Sequence, residues 1–363
     1  MTPSPPEWSS ARVKTRVRTA FTVRGARQMR LYICGFVSAL TRSHPRRGML
    51  LALTAYAIAT VALVVVFGVP YQRDLVAVWV LLGLLCFSLS DLRGYARGVL
   101  LEWVPFFGIL IAYDSLRGSA GHLFGVHYLP QLQADTWLFG GSTPTVTLQH
   151  WLWHGHVVWY DVIFWGVYLT HFLATPLLAA VLWKIDRQRF RVFAVFVATL
   201  SFAGLITYAL YPAAPPWMAS DAHLIAPITR IFPQVLLSLG TQSAGSLFEG
   251  GYHYANNVAA VPSLHAAFSL LIAITLWPRE RRWLRPVVAA YPLLMGFSLV
   301  FAGEHYFSDI VLGWIYTLVA VLAARALMRR WNALRASRQS PALIPDSGGT
   351  AGALARAAEA RRA

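Results

Sequence analysis

An all-α bundle that crosses a membrane about eight times is the architecture this sequence predicts, and three observations predict it. The hydrophobic fraction is 57% with a mean hydropathy of +0.52, more apolar surface than the core of a water-soluble domain can absorb. The apolar residues are gathered into runs of membrane-crossing length separated by short polar segments, as expected where a helix must satisfy its own backbone in hydrocarbon. The basic residues alternate in density from one set of connecting segments to the next.

Eight spans follow, at about 48–69, 74–90, 98–114, 160–183, 190–211, 263–277, 286–302 and 307–327. On this arrangement 28 of the 31 Lys and Arg residues fall on one side, in the N-terminal tail, the 91–98, 184–191 and 278–285 loops and the C-terminal segment. Only Arg73, Arg117 and Arg230 fall on the other. The bias places both termini in the cytoplasm, with the cell membrane as the expected location, and it accounts for the formal charge of +16 without a nucleic-acid partner. The expected organisation is a basic tail at 1–47, a transmembrane catalytic domain at 48–330 and a disordered cytoplasmic tail at 331–363. Residues 31–40 form a short apolar piece suited to the inner membrane surface or to disorder, and Cys34 and Cys86 suggest no chemistry. No protein partner is indicated.

Two long segments, 118–159 and 212–261, are expected on the outside. The first carries Trp137, Trp151, Trp153 and Trp159, as an interfacial belt requires, and QHWLWHGH with His150, His154 and His156, which reads as interfacial before it reads as a metal site because no carboxylate or Cys completes a ligand set. The second runs from YPAAPPW, with Trp217, through His253 and Tyr254 to NNVAAVP, and is a candidate substrate wall.

The chemistry is expected where two short motifs meet on that side, PSLH at 262–265 and GEHYFSD at 303–309. Ser263 is placed to cap the sixth span with His265 in its first turn. His305 and Asp309 stand four apart, on one helical face, so the carboxylate can hold one imidazole nitrogen. Two helix N-termini then direct partial positive charge into one space, a physical recipe for holding phosphate. Arg117, three residues after Asp114 in IAYDSLRG, is the favoured phosphate clamp, although an Asp114–Arg117 pair could equally anchor a span end. Arg230 and Tyr306 are further candidates for substrate contact.

VPSLHAAFS followed by GEHYFSD resembles the type-2 phosphatidic acid phosphatase, or lipid phosphate phosphatase, superfamily, and with YPAAPPW and GEHYFSDIVLGW it looks most like the branch containing fungal inositol phosphorylceramide synthase. The resemblance implies a six-helix phosphatase-like core and transfer through a phosphohistidine, with His305 as nucleophile, Asp309 orienting it and His265 as general acid and then base. It implies neither metal nor other cofactor, and a phospholipid or isoprenoid-lipid substrate, such as a donor of an inositol phosphate head group. A lipid or polyprenyl phosphate phosphatase is the alternative activity, and a noncatalytic scaffold or transporter of the same fold the alternative class. The sequence departs from the phosphatase pattern: KxxxxxxRP is absent, PSGH has become PSLH, and Leu299 stands where an Arg is expected six residues before His305.

Overall fold

The computed structural model describes residues 46–67, 72–119, 124–239, 256–278 and 280–339. The sequence readings on 31–40, Cys34, His253 and Tyr254 lie outside them. By internal contact the chain divides into Met1–Ala320, which holds the candidate site, and Val321–Ala363, whose described residues are helical.

Every span read from the sequence is a helix. These are α1 (Arg46–Phe67), α2 (Arg73–Cys86), α3 (Leu92–Gly98) joined to α4 (Val104–Ser119) by a π turn at Val99–Trp103, α7 (Trp159–Ile185), α8 (Arg187–Leu210), α11 (Leu264–Leu276), α12 (Arg285–Phe301) and α13 (Phe307–Gln339). Six of the eight are long and apolar enough to cross a membrane, with α3 and α4 counted as one rod. The other two, α2 and α11, have 14 and 13 residues. The protein is an all-α polytopic membrane protein, with no strand among the described residues. Its outer faces are apolar, with Leu51, Val65, Ile206 and Val287 more than half exposed, as helices in hydrocarbon require.

Sequence and structure differ at two places. The 118–159 and 212–261 segments contain short helices, α5 (Leu129–Leu138), α6 (Pro144–Leu152), α9 (Pro216–Asp221) and α10 (Ile231–Ser238), three of them with Pro at the first or second position, where its missing N–H costs nothing. The last helix continues to Gln339, past the boundary at 330 read from the sequence, because its final stretch is rich in Ala, Leu and Arg, all strong helix formers.

The centre of the bundle is α11. At about 1.5 Å per residue it is near 20 Å long, short of the hydrocarbon thickness of about 30 Å, and it is wrapped by other helices rather than by lipid. Ala266, Ala267, Phe268, Leu271 and Ile272 are all buried. Small residues on the neighbouring helices let it approach closely: Gly204 of α8 faces Leu264, and a Cβ added at Gly313 of α13 would stand 2.3 Å from the Ser263 carbonyl oxygen. Thr317 reinforces that crossing by donating to the Ala267 carbonyl at 2.9 Å. Gly313→Ala is therefore expected to destabilise the detergent-solubilised protein by about 2–3 kcal/mol, read as a lowered melting temperature, because the neighbour it meets is backbone and has little room to yield.

Three connecting segments are stitched together near the start of α11. Ala213 of YPAAPPW makes parallel bridges with His127 on one side and Ala259 of NNVAAVP on the other. The Ala213 amide donates to Val258 at 2.7 Å, and the Ala214 amide to His127 at 2.9 Å. Ala213 and Ala214 are completely buried, so the small side chains of that motif serve close packing. Gln149 of α6 adds a fully used amide: it donates to the Thr229 and Phe301 carbonyls and accepts from the Thr229 amide, each at 2.8 Å. It thereby ties α6 to the ends of the two segments that carry Arg230 and Glu304.

Candidate active site

His265 and His305 line a cavity of about 380 Å³ beneath these segments. Ser263 gives α11 its start by accepting from the Ala266 amide, which puts His265 in the first helical turn. At the other motif, Gly303 takes the left-handed conformation, φ 78°, that reverses the chain after α12. The Glu304 and His305 amides then donate to the Leu299 carbonyl. The two imidazoles stand with ring centroids 5.6 Å apart. Behind His305, the Asp309 Oδ2 atom lies 3.5 Å from Nδ1 and accepts from the Tyr306 amide at 2.9 Å. Asp309 is wholly buried, and its carbonyl accepts from the Ser263 amide, so the backbone itself joins the two motifs.

The other candidates from the sequence divide. Arg117 and Asp114 both line the cavity, but Asp114 forms its ion pair with Arg73 of α2, Nε to Oδ2 at 2.8 Å. The two guanidinium groups flank the Tyr113 ring at 5.2 and 5.7 Å. Arg230 also lines the cavity, where it grips Glu304 with two hydrogen bonds at 2.8 and 3.0 Å and lies over the Trp217 ring at 4.6 Å. Ser263 and Tyr306 do not border the cavity: Ser263 is consumed by helix capping, and Tyr306 packs with Leu132 and Ala219. His154 and His156 sit in an exposed loop, 6.4 Å apart between ring centroids.

Two residues at the site were not singled out from the sequence. Asp135 of α5 is wholly buried and accepts from the Phe307 and Ser308 amides at 2.8 and 2.9 Å, capping α13 from 172 residues away. Burial pushes its carboxyl above the usual carboxylate range, while the two backbone donors pull the other way. His171 of α7 lines the cavity with its ring centroid 4.1 Å from that of His265. Neither residue belongs to a short motif, so spacing alone gave no signal for either.

Residues 132–323 match the family model described as the PAP2 superfamily, more than half of the chain. The chain belongs to the PAP2 superfamily. Within this PAP2 chain the matched stretch runs from α5 to α13 and contains Asp135, His171, His265, His305 and Asp309, whereas Arg73 and Arg117 lie upstream of it. A protein of Bacteroides thetaiotaomicron named phosphoinositol dihydroceramide synthase is 28% identical over 160 residues, 42% of this chain. The match spans about half, 51%, of that relative's length. No solved structure matches the chain.

Proposed function

We propose that this protein is an integral membrane phosphotransferase that acts on lipid phosphoesters through a phosphohistidine and passes an inositol-phosphate-type head group from a phospholipid to the alcohol of another lipid. The observation that carries the reading is the pair of imidazoles facing each other across one cavity, with a buried carboxylate behind only one of them. Asp309 behind His305 orients that ring and supports the positive charge it gains on attacking phosphorus. His265 has no such carboxylate and suits the opposite role.

The steps balance without a further reactant. A nitrogen of His305 bonds to phosphorus as the bond to the donor's glycerol oxygen breaks, and His265 gives its proton to that oxygen. The acceptor hydroxyl then attacks the phosphohistidine, its proton passes to His265, and His305 is released. Leu299, where the phosphatase pattern has an Arg, is buried in the core and does not border the cavity, whereas Arg117 and Arg73 line it and are the cations assigned to the phosphate oxygens. The cavity's apolar wall, including Trp165, Phe172 and Phe232, favours a lipid alcohol over water as acceptor. The name of the Bacteroides relative supports the polyol head group. Residues 48–330 form the catalytic unit, and the positive-inside distribution puts the cavity outside and both termini inside, at the cell membrane.

Purified protein incubated with phosphatidylinositol and a ceramide-type alcohol is expected to yield a new inositol phospholipid and diacylglycerol. Free inositol phosphate in place of the new lipid would make it a hydrolase, and no turnover of any phospholipid would remove the enzymatic reading.

A further inference from the structure

Among the described residues, three carboxylates border the main cavity: Asp74, Asp114 and Glu304. Asp74 is exposed, and Asp114 is bonded to Arg73, one of the two cations assigned to the phosphate. Glu304 differs from both. Its side chain is 13% exposed and it directly precedes His305. Among the described residues its carboxylate bonds Arg230 alone, one oxygen accepting from Nε at 2.8 Å and the other from a terminal nitrogen at 3.0 Å. A carboxylate offers about four acceptor positions, so this grip leaves each oxygen able to accept again. Arg230 in turn lies over the Trp217 ring at 4.6 Å. The Trp217 amide donates to the Gly303 carbonyl and the Ile231 amide to the Ala302 carbonyl, each at 3.2 Å. Glu304, Arg230 and Trp217 are thus moored to one turn, the turn that carries His305.

What such a carboxylate can bind follows from counting protons. An ionised phosphodiester has no proton to give, so its oxygens need donors; Arg73 and Arg117 meet that need, and Glu304 does not. A hydroxyl-rich head group has the opposite requirement, because each hydroxyl that leaves water brings a proton in need of an acceptor. Arg230 offsets the negative charge of Glu304, which can therefore stand one residue from His305 without driving the phosphate away. The position also suits the course of the reaction. The head group stays on phosphorus through both half-reactions, while one lipid alcohol leaves and another enters. A contact that serves both half-reactions belongs beside the nucleophile rather than on the apolar wall.

We propose that Glu304 is the specificity-determining residue of this site: its carboxylate accepts hydrogen bonds from the hydroxyls of a polyol head group, and Arg230, stacked on Trp217, is the positioning residue that holds it for them. The inference rests on the reading of the protein as a head-group transferase with His305 as nucleophile. It gives Arg230 a task other than clamping phosphate. No bond is made or broken at Glu304, and the hydroxyls it binds keep their protons. A site built to accept from hydroxyls discriminates sharply against an analogue that lacks them, because its acceptor then gives up water and gains nothing in return.

Head-group selectivity is the test. Diacylglycerol release is measured for two donors with the same lipid half: phosphatidylinositol, and the cyclohexyl ester of phosphatidic acid, which keeps the six-membered ring and lacks the hydroxyls. The parent protein is expected to favour phosphatidylinositol by about 10²-fold or more in kcat/KM. Glu304→Leu combined with Arg230→Met removes the pair without stranding either charge, and is expected to bring that ratio to within about fivefold, chiefly through loss on phosphatidylinositol. Glu304→Gln, close in shape and keeping one acceptor oxygen, should lower the ratio about 10-fold, and it serves where the double variant does not fold. Arg230→Gln is expected to raise KM for phosphatidylinositol about 10-fold and to lower the ratio with it, and Arg230→Lys to recover part of the loss. The ratio is read within one preparation, so partial unfolding, which lowers both rates together, does not move it. Equal losses on the two donors in these variants overturn the proposal, since the pair then serves the phosphate or the fold. A parent protein with no preference for the hydroxylated donor overturns it as well. Release from neither donor by the parent protein is a different failure: it removes the phosphotransferase reading, and this inference with it.

Discussion

Replacing His305 with Gln is expected to lower head-group transfer by about 10⁴-fold or more, the scale seen when a nucleophile that acts as one unit with its partners is removed. Gln is close in size and polar, so the buried surroundings of His305 should survive, but its amide cannot form a phosphoramidate. His265→Gln is expected to cost less, about 10²- to 10⁴-fold, because proton donation assists bond cleavage whereas His305 makes the bond itself. Product assays on matched amounts of folded protein read both. A His305→Gln variant that keeps more than a few per cent of activity would show that the attacking group lies elsewhere.

The second large effect is expected at Asp135, a residue that touches no substrate in this account. Its two carboxylate oxygens satisfy the first two amides of α13, the helix on which Asp309 stands. With Asp135 wholly buried, Asp135→Ala leaves two donors without water or protein to accept from them, a loss of about 2–5 kcal/mol that loosens the turn holding His305 and Asp309. Both the melting temperature and the turnover number should fall, and Asp135→Asn, which retains one good acceptor oxygen, should fall less. The charge has its own signature. Because burial raises the folded-state proton affinity of Asp135 above its ordinary value of 3.8, its contribution to stability is greatest below that pH and declines as pH rises through the raised value. Asp135→Asn cannot ionise, so that part of its stability-against-pH curve should be flatter.

The helices were legible as apolar runs between polar segments, six of them long enough to cross a membrane. The short helices between spans were not, since lengths of 6 to 10 residues with mixed polarity carry no period strong enough to separate them from loop. At the site, His265, His305 and Asp309 were legible as local spacing: a cap, a first turn and an i, i+4 pair. What spacing cannot show is a partner far along the chain. Asp114 reads as the neighbour of Arg117 three residues away, yet it bonds Arg73 from another helix. Arg230 reads as a solitary cation, yet Glu304, 74 residues later, already holds it. His171 reads as an ordinary member of an apolar helix, and its place beside His265 comes from the packing of α7 against α11.

The central claim is that phosphate passes through a covalent bond to His305. Protein given phosphatidylinositol labelled in its phosphate, quenched under alkaline conditions and digested, is expected to carry the label on one peptide, containing His305, in a bond that survives base and breaks in acid. Label on a different peptide, or none at any time while diacylglycerol is released, would contradict the account.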